Sequence, residues 1–295
     1  MKQIRMGIDI GGTYVKGVLI EADEITCRLK METRDGREDW QRAIADMHRE
    51  LTKKASGPVE AIGLSAPGIA SADNRSIAYM PVRLQGLEGF NWSDYLAVEV
   101  HVLNDAHAAL WAEARLGTGK GKSNLVMITL GTGVGGGLLL NGQLYQGFMQ
   151  RAGHLGHISV DAASITPSIT GITGSLEDAI GEAGLAARSL QRFTSTFDLV
   201  QAHRAGDSWA TYLWLDSVRK LALAIASFCN AFSPDLVILA GGITKAGEDL
   251  LQPLATFLDL YEWRPGGRST PVKLAEFQDY AGAIGAALYD GPVPQ

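Results

Sequence analysis

The sequence predicts an α/β protein of two similarly built lobes with a ligand cleft between them. Two observations carry this. Strand-like apolar runs alternate with helical periodicity along the whole chain. One local pattern, strand then glycine turn then strand, also occurs twice. It stands at "MGIDIGGTYVKGVLI" (6–20) and restarts at "SNLVMITLGTGVGGGLLLNGQL" (123–144). Thr129-Leu130-Gly131-Thr132-Gly133 falls in the second copy where Asp9-Ile10-Gly11-Gly12-Thr13 falls in the first.

The elements follow in order. Residues 37–54 place Trp40, Ile44, Met47 and Leu51 at three- and four-residue spacing, which predicts an amphipathic helix. "VEAIGLSAPG" (59–68) reads as a strand running into a Pro-Gly turn, and "VEVHVLNDA" (98–106) as a strand ending in Asn104-Asp105. Residues 105–117 form a helix with a glycine stop. Residues 161–175 are a polar loop without periodicity. A long helix is expected over about 207–231, then a strand at 235–243 ending on Gly241-Gly242. Helix (248–262), strand (272–277) and helix (281–290) close the chain.

The 295 residues suit two domains or one large one with an ample core. The net charge of −6 argues against a nucleic-acid surface, which needs a basic stripe. Cys27 and Cys229 belong to no CxxC and cannot staple a chain this long, so a reducing compartment is expected. The opening "MKQIRMGIDIGG" has no signal-peptide core, and the longest apolar run, 125–140, is too short and glycine-rich to span a membrane. A cytoplasmic enzyme is expected.

Three short patterns fail on context. "GTGVGG" (131–136) fits a dinucleotide fingerprint, but a strand follows where that motif opens a helix. "GKS" (121–123) ends like a P-loop, yet Leu116 stands where its first glycine belongs. "GLSAP" (63–67) misses the hydrolase elbow because of Pro67. What remains is the pair of glycine turns. Glycines let backbone N–H groups approach phosphate oxygens without a Cβ in the way. Asp9 ends the first strand beside such a turn. A carboxylate beside polyphosphate is repulsive unless a cation mediates, so Asp9 implies Mg²⁺. Asn104-Asp105 ends a strand rigidly. Asp105 suits a general base for a weakly nucleophilic hydroxyl, and it equally suits capping the helix that follows.

Together, "DIGGTYVKG", "LNDAHAALWAE", "LGTGVGGG", "AGHLGH" and "LAGGI", in this order, resemble the ROK family. These are bacterial sugar kinases and repressors with the two-lobed actin-like (ribonuclease H-like) ATPase fold. The resemblance implies a smaller N-terminal lobe, 1–116, completed by the C-terminal helix 279–295, and a larger lobe, 117–278. It implies that Gly11, Gly12 and Thr13, with Lys16, form the first phosphate site, that Gly131, Thr132 and Gly133 form the second, and that Gly241 and Gly242 lie near the adenosine. It makes Asp105 the catalytic base, and Gly68, Asn104, His154, His157 and Glu177 sugar ligands. ATP and Mg²⁺, the latter held by Asp9 through water, are the expected cofactors. The acceptor is expected to be a hexose or N-acylhexosamine phosphorylated at O6, with glucose and N-acetylmannosamine foremost. A homodimer is expected, with no nucleic-acid or membrane partner.

The sequence departs from the family in three places. Many members carry C-x-C-G-x-x-G-C-x-E, which binds structural zinc with an upstream His. Here the segment runs Ser168-Ile169-Thr170-Gly171-Ile172-Thr173-Gly174-Ser175-Leu176-Glu177. Hydroxyls are poor zinc ligands, so no zinc site is expected and hydrogen bonds must order the loop. In "AGHLGH" His154 replaces the common Glu, as in bacterial N-acetylmannosamine kinases. A neutral ring offers one donor and one acceptor, so it reads a different hydroxyl pattern. Arg83 stands about where a sugar-binding Asn is common. Rival readings are a sugar-responsive repressor and a non-catalytic sugar-binding member. The first strand begins by Met6, so a helix-turn-helix before it is not expected, and the pairing of Asp9 with Asp105 speaks for catalysis.

Overall fold

A computed structural model of the chain describes residues 3–33, 36–81, 83–165, 167 and 171–291. The elements are β1 (Ile4–Ile10), β2 (Tyr14–Glu21), β3 (Glu24–Glu32), α1 (Arg37–Lys54), β4 (Ala61–Ala66), β5 (Ile69–Ala70), β6 (Ile77–Tyr79), α2 (Trp92–Leu96), β7 (Val100–Asn104) and α3 (Asp105–Arg115). They continue with β8 (Leu125–Leu130), β9 (Val134–Leu140), β10 (Gln143–Leu144), α4 (Leu176–Ile180), α5 (Leu185–Arg188), α6 (Thr196–Arg204), α7 (Ser208–Phe232), β11 (Leu236–Ala240), α8 (Glu248–Tyr261), β12 (Val272–Leu274) and α9 (Ala281–Ala287). The chain divides into two compact units. Unit 1 takes 1–121, 144–152 and 276–295, and unit 2 takes 122–143 and 153–275.

Unit 1 is built on a five-stranded sheet of order β3-β2-β1-β4-β7. The β1–β2 hairpin is antiparallel and sets Asp9 opposite Lys16. β4 pairs parallel with both β1 and β7. On α1, Trp40, Ile44, Met47 and Leu51 are fully buried, as their spacing predicts. Acidic Glu38 and Asp39 in its first turn and basic Lys53 and Lys54 in its last suit the helix dipole. Every residue of α9 is buried. Its sequence, AGAIGAA, has side chains small enough for its backbone to touch its neighbours. A Cβ added to Gly63 of β4 would lie 1.8 Å from the Ala286 carbonyl oxygen, and one added to Gly7 of β1 as close to that of Ala283.

Unit 2 repeats the plan, with order β10-β9-β8-β11-β12. β8–β9 is again an antiparallel hairpin, and β11 runs parallel to β8. The long helix α7 buries Leu213, Trp214, Val218, Leu221 and Ile225 against this sheet's core.

Several elements go beyond the expectation. β3 is an edge strand whose alternation, Ile25, Cys27, Leu29, Met31, half-buries one face and exposes the other. α2, α4, α5 and α6 are short, and side-chain caps start three of them: Asn91, Ser175 and Ser195. The strand expected at 272–277 ends at Leu274, and the last helix ends at Ala287.

Candidate active site

The candidate residues fall into one group in each unit. In unit 1, β1 ends on Asp9 and Ile10, and the turn closes with Gly11 N–H donating to the Tyr14 carbonyl at 2.9 Å. Ser65, at the end of the neighbouring parallel strand, donates its hydroxyl to Asp9 Oδ1 at 2.7 Å. Burial pushes the Asp9 carboxyl up to about 6; the Ser65 hydrogen bond and Lys16 oppose this, while the charges of Asp105 and Asp279 add to it. Lys16, Asp105 and Asp279 are thus near enough for their charges to act on Asp9. Among the described residues no group of three His, Cys, Asp or Glu is arranged to ligate a metal directly.

Asn104 ends β7 and caps α3. Its Oδ1 accepts from Ala106 N–H at 2.9 Å and His107 N–H at 3.2 Å, while its Nδ2 donates to the Gly68 carbonyl at 2.8 Å. The cap expected of Asp105 is thus made by Asn104, one residue earlier. Asp105 is the first helical residue, with Oδ1 accepting from Ala106 N–H at 2.8 Å. Its carboxylate is open to solvent. Crowding by the surrounding protein still holds its pKa above the usual range, against the lowering effects of Ala106 N–H, Asn104 and, last, the Arg83 charge. This is the environment of a carboxylate that a hydroxyl can reach and that takes a proton more readily than a free one.

In unit 2 the turn after β8 closes with Gly131 N–H on the Gly133 carbonyl at 3.0 Å. The segment after α4 docks on this turn, with Glu182 N–H donating to Gly131 O and Ala183 N–H to Thr132 O, both at 2.9 Å. Glu177, early in α4, accepts the Val134 N–H through Oε2 at 2.9 Å. A Cβ on Gly133 would come 2.5 Å from that oxygen, so any larger residue there would displace the Glu177 carboxylate from this hydrogen bond. Gly241 has φ +93°, and a Cβ there would lie 2.3 Å from the Leu130 carbonyl, which brings the end of β11 against the end of β8. His154 and His157 lie with rings nearly parallel, 10° apart, and centroids 6.4 Å apart. Burial, then the neighbouring His157, lowers the His154 pKa, which favours the neutral ring.

A pocket of about 510 Å³ opens in unit 2 between Gly131-Thr132 and Gly242-Ile243, walled by Phe197, Val200 and Arg204 of α6. Arg204 is held by Asp249, Nε to Oδ2 at 2.7 Å, and Glu182 Oε2 accepts the Thr196 N–H at 2.9 Å. Sequence reasoning missed Ser65, Glu182 and this α6 wall. The signal was slight: Thr196, Val200 and Arg204 recur at four-residue spacing in a short polar segment.

Ser175, at the last of the thiol positions, is an N-cap: its hydroxyl accepts from Asp178 N–H at 3.0 Å and donates to Asp178 Oδ2 at 2.7 Å. Ser168, Ile169 and Thr170 lie outside the described residues.

A glucokinase of Halalkalibacterium halodurans is 32% identical over 307 aligned residues, covering 95% of this chain and 92% of that one. A ROK hexokinase of Thermus thermophilus superposes with a TM-score of 0.85 at 29% identity, over 98% of both chains. A ROK glucokinase of Streptomyces griseus, solved with glucose and AMPPNP, gives a TM-score of 0.78 at 26% identity, over 96% of this chain and 98% of that one. The fold shared with these proteins is the two-lobed actin-like ATPase fold that the motifs imply. The profile of the ROK family matches residues 5–289, and the chain belongs to that family.

Proposed function

We propose that this chain is a sugar kinase that transfers the γ-phosphoryl of ATP to O6 of a hexose or N-acylhexosamine, with glucose and N-acetylmannosamine the foremost acceptors. The observation that carries the reading is Asp105, a solvent-open carboxylate held at a strand-to-helix junction with its pKa displaced upward.

Asp105 accepts the proton of the sugar hydroxyl as that oxygen bonds to the γ-phosphorus. The bond from phosphorus to the β–γ bridging oxygen breaks, and ADP leaves with the electron pair. Backbone N–H groups of Gly11, Gly12 and Thr13 and of Gly131, Thr132 and Gly133 take up phosphate charge, with Lys16 adding a cation. The adenosine occupies the pocket beside Gly241 and Gly242, whose α6 wall supplies apolar surface. Asn104, Gly68, His154, His157 and the free oxygen of Glu177 orient the sugar. Asp9 fits a Mg²⁺ ion held through water. Asp9 is buried at the end of β1 and feels the negative charges of Asp105 and Asp279, so a cation beside it would be favoured, and among the described residues no cluster of three ligating side chains would hold that ion directly. When bound, that ion neutralises phosphoryl oxygens.

The test is ADP release from ATP and Mg²⁺ with glucose, N-acetylglucosamine, N-acetylmannosamine, fructose, mannose and allose. Turnover above the sugar-free rate with at least one of them is expected. Sugar-independent hydrolysis alone, or none, would overturn the reading.

A further inference from the structure

The segment from His154 to Glu177 carries three of the proposed sugar ligands, at its two ends. The described parts of its long polar loop close on themselves at the base. Leu176 N–H donates to the Ile158 carbonyl at 2.9 Å, and Val160 and Asp161 N–H both donate to the Gly174 carbonyl, at 2.8 and 3.2 Å. Ser159 bridges to Ser175 across the same base. The approach is close, since a Cβ on Gly174, at φ +65°, would lie 2.0 Å from the Asp161 carbonyl oxygen. Asp161 is therefore joined through backbone hydrogen bonds to the segment at Gly174 that leads, two residues later, into Leu176-Glu177. It is also where the base meets the helical core of unit 2. Its Oδ2 lies 2.9 Å from Lys220 Nζ of α7, and the same Nζ lies 2.9 Å from Asp216 Oδ2, one turn earlier. Lys220 is only 18% exposed at its side chain, so water screens this three-charge array less than an open surface pair.

From this geometry we infer that Lys220 is a positioning residue: it ties the closed base at Asp161 to α7 and so sets where His157 and Glu177 stand. The inference rests on the kinase reading for its effect on the sugar, but the tether itself does not. Lys220 lies on a different helix from the α6 wall of the nucleotide pocket. Loss of the tether thus loosens the sugar ligands more than the nucleotide site. Arg219 remains to pair with Asp216 when Lys220 is removed, at 2.6 Å, so α7 keeps a partner for that carboxylate.

The experiment uses the full chain with Lys220→Met, Lys220→Arg and Asp161→Asn. Two quantities are read: KM for sugar and for ATP, and hydrogen exchange at the Val160, Asp161 and Leu176 amides. Lys220→Met and Asp161→Asn are expected to raise the sugar KM by about 5-fold or more with the ATP KM within about 2-fold, and to speed exchange at those amides by about 10-fold. Lys220→Arg, which can still bridge two carboxylates, is expected to stay near wild type in both. The double variant Lys220→Met/Asp161→Asn is expected to be no worse than either single one. An unchanged sugar KM, an ATP KM rising in step with it, or unchanged exchange overturns the tether. If the wild-type chain phosphorylates no sugar, the kinase reading fails instead, and amide exchange alone decides the tether.

Discussion

Gly285→Ala sets two effects of opposite sign against each other. Gly285 lies within α9, where alanine is the better helix former by about 1 kcal/mol. Propensity alone thus predicts a more stable protein. The packing predicts the reverse. A Cβ at 285 would lie 1.7 Å from the Ala108 carbonyl oxygen and 2.5 Å from its carbon, where real Cβ atoms essentially never approach within 3.0 Å. The obstacle is backbone, so no side chain can swing aside. α9 must part from α3 by more than 1 Å, and its other close contacts, at Gly7 and Gly63, open with it. Overpacking of this kind costs about 1–3 kcal/mol, and opening contacts on several sides adds to it. We expect a net loss of about 2–3 kcal/mol, read as an apparent Tm lower by roughly 5–10 °C. Asp105 lies one turn before Ala108 on α3, so kcat should fall more than nucleotide affinity does. The assays are a thermal melt and steady-state kinetics. A Tm equal to or above that of the wild type would refute the packing argument.

Three further expectations follow from the site. Burial raises the Asp9 pKa from 3.8 to about 6, so its charge destabilises the ligand-free fold above that pH, by a shift worth on the order of 3 kcal/mol, and the cost fades as pH falls through 6 toward 4. Asp9→Asn should therefore raise the apparent Tm at pH 7.5 and leave it unchanged near pH 4; equal shifts at both would contradict the assignment. A neutral His154 gives up one of the acceptances a Glu would make, so His154→Glu should shift the kcat/KM ratio toward glucose over N-acetylmannosamine by roughly 10-fold, and an unchanged ratio would show that this side chain does not read the sugar. Metal analysis of the dialysed protein should find no stoichiometric zinc; about one zinc per chain, lost together with folding on chelation, would reveal an unrecognised site.

Much of this arrangement is legible in the sequence where local chemistry decides it. The apolar face of α1 is written at helical spacing, and both glycine turns stand between two strand-like runs. β3 is just as readable by its alternation, but its polar face of Glu24, Arg28, Lys30 and Glu32 makes it look like a loop. What the sequence does not display are contacts made across the fold. Ser65 reaches Asp9 from 56 positions away because β1 and β4 run parallel in register. The α6 wall depends on where a short capped helix lands. The tether from Lys220 to Asp161 joins two charges that are unremarkable in their own segments. Asn104, not Asp105, caps α3, and only the helix boundary, one residue earlier than a simple Asp cap requires, decides that.

The most direct test of the account is Asp105→Asn. The side chain keeps its size and its acceptor toward Ala106 N–H, and the cap on α3 belongs to Asn104, so folding and ligand binding should survive. The amide cannot take the hydroxyl proton. Calorimetry should give ATP and sugar affinities close to wild type, while kcat for phosphoryl transfer falls by about 10²–10⁴. A variant that binds both substrates and retains more than about a tenth of the wild-type kcat would show that Asp105 is not the base.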